Sequence, residues 1–211
     1  MKEKYNPAKL AAYFISFVFH PVFIPFYTVV LYFYVTPRYF IPQNIRFLEV
    51  YLLIVSIFIP LLFFGVMLYA KSFTDIQLQL PKERLFFSLI IALVYFIIFK
   101  KIIHYHQYLE LYPFFLGVFL AILSLSIYNY FNQKPSIHAM AMAGSLAFLS
   151  IWSYYSQINI LNYLSVLILL AAIVIAARLY LQAHDLKDIV RGIFIGIFMQ
   201  LLAFYLILLF F

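Results

Sequence analysis

Seven apolar runs, most of them long enough to cross a bilayer, constrain this chain more than any other feature. A spanning helix needs about 20 mostly apolar residues, because backbone groups find no water in hydrocarbon and must bond within the segment. The runs extend over about Leu10 to Val35, Phe47 to Ala70, Leu85 to Phe99 and Leu111 to Tyr130. Three more follow: from Asn132–His138 to near Tyr155, about Tyr163 to Ala177, and about Ile189 to Phe211. Only 10% of the residues are charged, against about 25% in a soluble domain. The expected fold is therefore all-α, a polytopic integral membrane bundle of six to seven transmembrane helices forming a single domain over residues 1–211. Six applies if the first run only dips into the membrane.

Punctuation within the runs predicts local breaks. His20-Pro21 and Pro25 remove backbone donors from the first run and should kink or break it, with His20 answering a freed carbonyl. Thr36 to Arg46, with Pro37 and Pro42, reads as a loop, and Pro60 as a kink in the second run. Pro135 suits the first turn of a new helix, whose amides would then point at any anion bound there. The first run follows Lys2, Lys4 and Lys9 and has no small-residue cleavage signature after it, so a retained helix is expected.

Several function classes fall away. The net charge of +7 comes from cations at the ends of apolar runs, where lipid headgroups rather than nucleic acid would meet them. Without cysteine there is no disulfide or thiolate metal site. His104, His106 and Glu110 have a metal-like spacing, but histidines two apart do not share a helical face and the segment reads as a polar interfacial loop. Met140 and Met142 beside His138 read as core packing.

With seven spans, parity brings Lys71–Arg84, Asn132–His138 and Arg178–Asp188 to the same membrane side. With the amino terminus inside, ten cations lie on that side against four on the other, which favours a cytoplasmic face under the positive-inside rule. Setting aside Lys82, Arg84, Lys134 and Arg178, whose charge chemistry could require, leaves six against four. Ala177 to Asp188 is the most informative of the polar segments. Ionisable groups at such a boundary are costly beside hydrocarbon and mark a site by default. His184 and Asp188 are four apart, so a carboxylate can hold one imidazole nitrogen and leave the other free as base or nucleophile. Arg178 lies six before His184, so the chain must turn between them if both meet one substrate. A guanidinium there suits a phosphate or carboxylate. The competing reading is a membrane-edge cluster in which Arg178 snorkels and His184 and Asp188 solvate a turn.

Two short motifs then carry a resemblance. Pro135-Ser136-Ile137-His138 is similar to the Pro-Ser-Gly-His motif of the type 2 phosphatidic acid phosphatases and the related vanadium haloperoxidases. Ala177-Arg178, five residues, His184, three residues, Asp188 resembles their Ser-Arg, five residues, His, three residues, Asp. The chain departs from the pattern at Ala177 and Ile137. It also lacks the first family motif, since Gln77 and Leu85 stand where a lysine and a proline belong; Lys82 and Arg84 are the local substitutes.

The resemblance implies a lipid phosphate or diphosphate phosphatase of the cell membrane. His184 would attack phosphorus, Asp188 would hold its imidazole, and His138 would protonate the departing oxygen. Arg178, Arg84, Lys82, Ser136 and Lys134 would bind the phosphate, with no metal or other cofactor. Asp185 is assigned to solvation. The expected partners are the lipid phosphate and membrane lipids, with no nucleic acid. The alternative is a catalytically degenerate relative or a transport-like bundle.

Overall fold

The structure is a computed structural model describing residues 6–37, 41–74, 78, 80–102 and 108–210. Regular structure among them is entirely helical, in eight helices: α1 (Pro7–Val18), α2 (Ile24–Val35), α3 (Pro42–Tyr69), α4 (Pro81–Ile97), α5 (Leu111–Tyr130), α6 (Ile137–Ser156), α7 (Leu161–Tyr180) and α8 (Leu186–Phe210). Five of them, α3 and α5 to α8, are long and apolar enough to cross a membrane. The chain is an integral membrane helix bundle.

Prolines and polar caps account for the boundaries. The first apolar run is broken at His20-Pro21, with Pro25 in the first turn of α2. His20 turns back on its own backbone, its Nδ1 accepting the Val22 amide at 3.4 Å rather than answering a carbonyl. Asn6 Nδ2 lies 3.3 Å from the Tyr180 hydroxyl, and Tyr34 packs edge-on against Tyr163. Together α1 and α2 therefore follow α7 from one of its ends to the other, each a short apolar helix of 12 residues.

Pro42 opens α3, so the expected loop stops short: Pro42 to Arg46 is already helical because proline's fixed φ suits a first turn. Pro60 does not break α3. Its ring crowds the carbonyl four residues back, and the turn before it, Leu53–Phe58, widens to a π-helix. The Ser56 hydroxyl in that turn donates to the Leu52 carbonyl and meets the Tyr95 hydroxyl of α4.

Helix α8 packs against α5 and α6, α4 against α5, α7 against α6, and α1 against α7. The approach of α8 to α6 is set by Gly192 and Gly196. A Cβ at Gly192 would run into the Ser136 carbonyl, and one at Gly196 into the Met140 carbonyl and the Gly144 amide. Small residues one turn apart let two backbones close up in lipid, where dispersion rather than water drives packing.

An aromatic core fills the end of the bundle where α5 begins. Phe114 and Phe148 have ring centroids 4.6 Å apart, and Tyr32 meets the fully buried Trp152 edge-on at 5.2 Å. The Tyr32 hydroxyl donates to Glu110 at 3.1 Å. His104 and His106, the other members of that spacing, lie outside the described residues. Met140 and Met142 are buried in the apolar core.

Candidate active site

At the opposite end the polar groups converge, and each is delivered by a helix terminus. Helix α7 ends in a Schellman turn, with the Ala183 amide on the Arg178 carbonyl (3.1 Å) and the Gln182 amide on that of Leu179 (2.9 Å). Gln182 takes the left-handed conformation, φ 52°, that reverses the chain. This reversal brings Arg178 and His184, six residues apart, into one electrostatic neighbourhood. Asp185 is not merely solvated: its Oδ1 accepts the Asp188 amide at 2.8 Å and caps α8.

His184 therefore precedes α8 and Asp188 lies in its first turn. His184 Nδ1 is 3.4 Å from Asp188 Oδ2, with the side chains 7% and 17% exposed. The carboxylate can only accept from a neutral imidazole, so Nδ1 carries the proton and Nε2 keeps its lone pair. Arg191 Nη1 lies 3.5 Å from the other carboxylate oxygen, Oδ1. Burial holds the His184 imidazole below the usual histidine range. The charges of Arg178 and Lys134 push the same way, against the raising influence of Asp188.

The second histidine stands on α6. Ser136, fully buried, caps that helix through Oγ on the Ala139 amide at 3.5 Å, and its own amide donates to the Asp188 carbonyl at 2.9 Å. Pro135 thus stands outside the first turn, because Ser136 takes the cap. His138 is buried, with Nε2 3.2 Å from the Ser16 carbonyl of α1. A carbonyl only accepts, so Nε2 carries hydrogen and Nδ1 is left for proton exchange. The His20 ring stands edge-on to His138 with centroids 5.6 Å apart.

Cations surround the two histidines. Arg178 is an electrostatic neighbour of His20, His138 and His184. Its Nε is buried with no hydrogen-bond partner among the described residues. Arg84, in the first turn of α4, reaches Asn129 Oδ1 and the Leu78 carbonyl, both at 3.4 Å, and is an electrostatic neighbour of Asp188. Lys134 is half-buried in the α5–α6 connection. Lys82 is exposed and makes no hydrogen bond or ion pair among the described residues. Gln77, at the place of the family's first lysine, is outside them.

The structure thus brings Arg178, Arg84, Lys134, His138, His184 and Asp188 to one end of the bundle. It also adds residues the sequence reading passed over. Buried Glu83 accepts from the Thr74 amide and hydroxyl at 2.9 and 3.1 Å, tying the α3–α4 connection to α4. Buried Asn129 orients Arg84. Asn129 was detectable as an amide within an apolar run, and Arg191 as a cation three residues after Asp188.

A family model described as PAP2 superfamily matches residues 83–210, well over half of the chain and all of the helices from α4 to α8 except the first two residues of α4. No curated protein and no solved structure matches the chain. With its polar end built from the same stretch that carries the match, the chain belongs to the PAP2 superfamily and is an integral membrane protein of phosphatase type.

Proposed function

We propose that the protein is a cell-membrane phosphatase that removes phosphate from a lipid phosphate or diphosphate through a phosphohistidine intermediate. The observation that carries the reading is Arg178: a guanidinium whose buried Nε lacks a partner, beside a histidine held by a carboxylate. An unsatisfied buried donor is costly, and a bound phosphoryl oxygen would satisfy it.

The chemistry follows from the two tautomers. His184 Nε2 attacks phosphorus while the bond from phosphorus to the lipid oxygen breaks, its electron pair leaving on that oxygen. His138, charged once the anionic phosphoryl group is bound beside it, protonates the oxygen from Nδ1. Asp188 holds Nδ1 of His184 and offsets the positive charge the ring acquires. Water then attacks phosphorus, giving a proton to His138 as the P–N bond breaks, and inorganic phosphate leaves. Arg178, Arg84 and Lys134 stabilise charge on the non-bridging oxygens throughout. Lys82 would join them by turning inward from its exposed position.

The substrate is a lipid because the site lies at the ends of apolar helices, where hydrocarbon tails stay in the bilayer while the headgroup enters. Phosphatidate, phosphatidylglycerol phosphate, a polyprenyl diphosphate and a lipid A phosphate all meet this requirement. Transfer of the phosphoryl group to a second lipid would use the same residues. The test is phosphate release by purified protein in detergent from a panel of these lipids, with chelator present. Turnover of one or more that disappears in His184→Ala is expected. A wild-type protein that releases no phosphate from any of them refutes the reading and leaves a non-catalytic scaffold.

A further inference from the structure

Helix α1 lies outside the residues matched to the family, yet it enters the polar end of the bundle. Its Ser16 is 7% exposed, and the Ser16 hydroxyl has no hydrogen-bond partner among the described residues. Hydroxyls in helices usually return to a carbonyl one turn back, and in this chain Thr28, Ser56, Ser124, Ser126 and Ser165 do so, at 2.6 to 3.0 Å. Ser16 does not, although the same backbone is available to it. Its neighbourhood is the polar end of the bundle. The Ser16 carbonyl takes the His138 imidazole, and Tyr13, one turn earlier on that face, is an electrostatic neighbour of Arg178.

Ser16 Oγ and Arg178 Nε are the buried side-chain atoms left without a partner among the described residues, and both belong to groups around His138. A single oxyanion bound between them would satisfy both donors. Ala177, buried beside Arg178, presents a methyl and no donor of its own. We propose that the Ser16 hydroxyl donates to the phosphoryl group that Arg178 clamps, so that α1 completes the phosphate site, a role that rests on the phosphatase reading above. Ser16 then acts in binding: its proton stays on oxygen, and no bond to it forms or breaks.

Inorganic phosphate is the probe, read as the rise in thermal unfolding temperature it causes and as its inhibition constant against lipid phosphate turnover. Ser16→Ala should raise that constant about ten-fold, the loss of one hydrogen bond to a charged group, and shrink the thermal rise. Its unfolding temperature without phosphate should be unchanged or higher, since a buried group without a partner has been removed. Ser16→Thr, which keeps the hydroxyl, should stay within about three-fold of wild type. If Ser16→Ala responds to phosphate as wild type does while Arg178→Lys does not, Ser16 is outside the site and the phosphatase reading stands. A lower unfolding temperature with unaltered phosphate inhibition would assign Ser16 to structure instead. A wild type that neither responds to phosphate nor turns over lipid phosphate removes both.

Discussion

The amide of Ser136 donates to the backbone carbonyl of Asp188 at 2.9 Å, so the start of α6 is fastened to the start of α8. Two residues beyond Ser136 is His138, and four before Asp188 is the histidine that its side chain holds. The spacing of the two imidazoles is therefore fixed by main chain. Gly192 and Gly196 permit this contact by letting the helices close.

Gly192→Ala and Gly196→Ala should force α8 off α6, each costing roughly 1–3 kcal/mol as overpacking does, and lower turnover with it. Gly65→Ala is the control, since a Cβ there meets nothing within 4 Å. Thermal unfolding in detergent checks this; equal stability of Gly196→Ala and Gly65→Ala would mean the glycines do not set the contact.

Asp188→Asn removes the carboxylate but keeps the carbonyl that Ser136 uses. The bundle should stay folded while turnover falls, by about the 10⁴-fold known for the Asp of another catalytic triad. Rapid quenching with labelled substrate should trap phosphohistidine in wild type. None should form in His184→Ala. His138→Ala should still form it from a substrate whose leaving oxygen needs no proton. An adduct in His184→Ala would move the nucleophile elsewhere.

Arg178→Lys retains charge and loses the planar fork, so lipid phosphate turnover should fall by about 10–100-fold with the fold intact. Normal turnover in this variant would make Arg178 structural.

The pH dependence has a defined sign. In the proposed mechanism His184 must be neutral to attack, and its pKa lies below the usual 6.5, mainly through burial. As pH falls through 6.5 the His184 ring stays unprotonated while the charged fraction of the acid, His138, only grows, so kcat/KM should not fall there and should decline only at lower pH. Lys134→Gln removes a charge that lowers this pKa, so the acid limb should move upward. A limb that stayed in place or moved down would exclude Lys134 from the site's field.

Gln182 and Asn132 hold left-handed positions that glycine fills without steric cost. Gln182→Gly should stabilise the protein by about 1 kcal/mol and Asn132→Gly by less, since asparagine tolerates the left-handed region, both measured as a higher unfolding temperature. A fall in both would show that contacts of the two side chains outweigh backbone strain.

Apolar run length and parity made most of this architecture legible in advance. They fixed the helices and brought Arg84, His138 and Arg178–Asp188 to one end. The His184–Asp188 contact followed from a four-residue spacing. Details decided by competition between close alternatives did not. Pro60 could kink α3 or widen it, and packing of Ser56 against Tyr95 accompanies the wider turn. Asp185 looked like a solvated neighbour because its capping role depends on where α8 begins. Ser16 carries no sequence signal, since serine in an apolar helix normally bonds its own backbone.

The chain's single tryptophan, Trp152, is buried in the aromatic core about 20 Å along α6 from His138. Its emission is therefore an optical witness of the bundle that is blind to the site. Substitutions at Arg178, His184 or Asp188 that silence activity without shifting that emission will have left the far core packed, and a red shift will expose a variant whose helices have come apart.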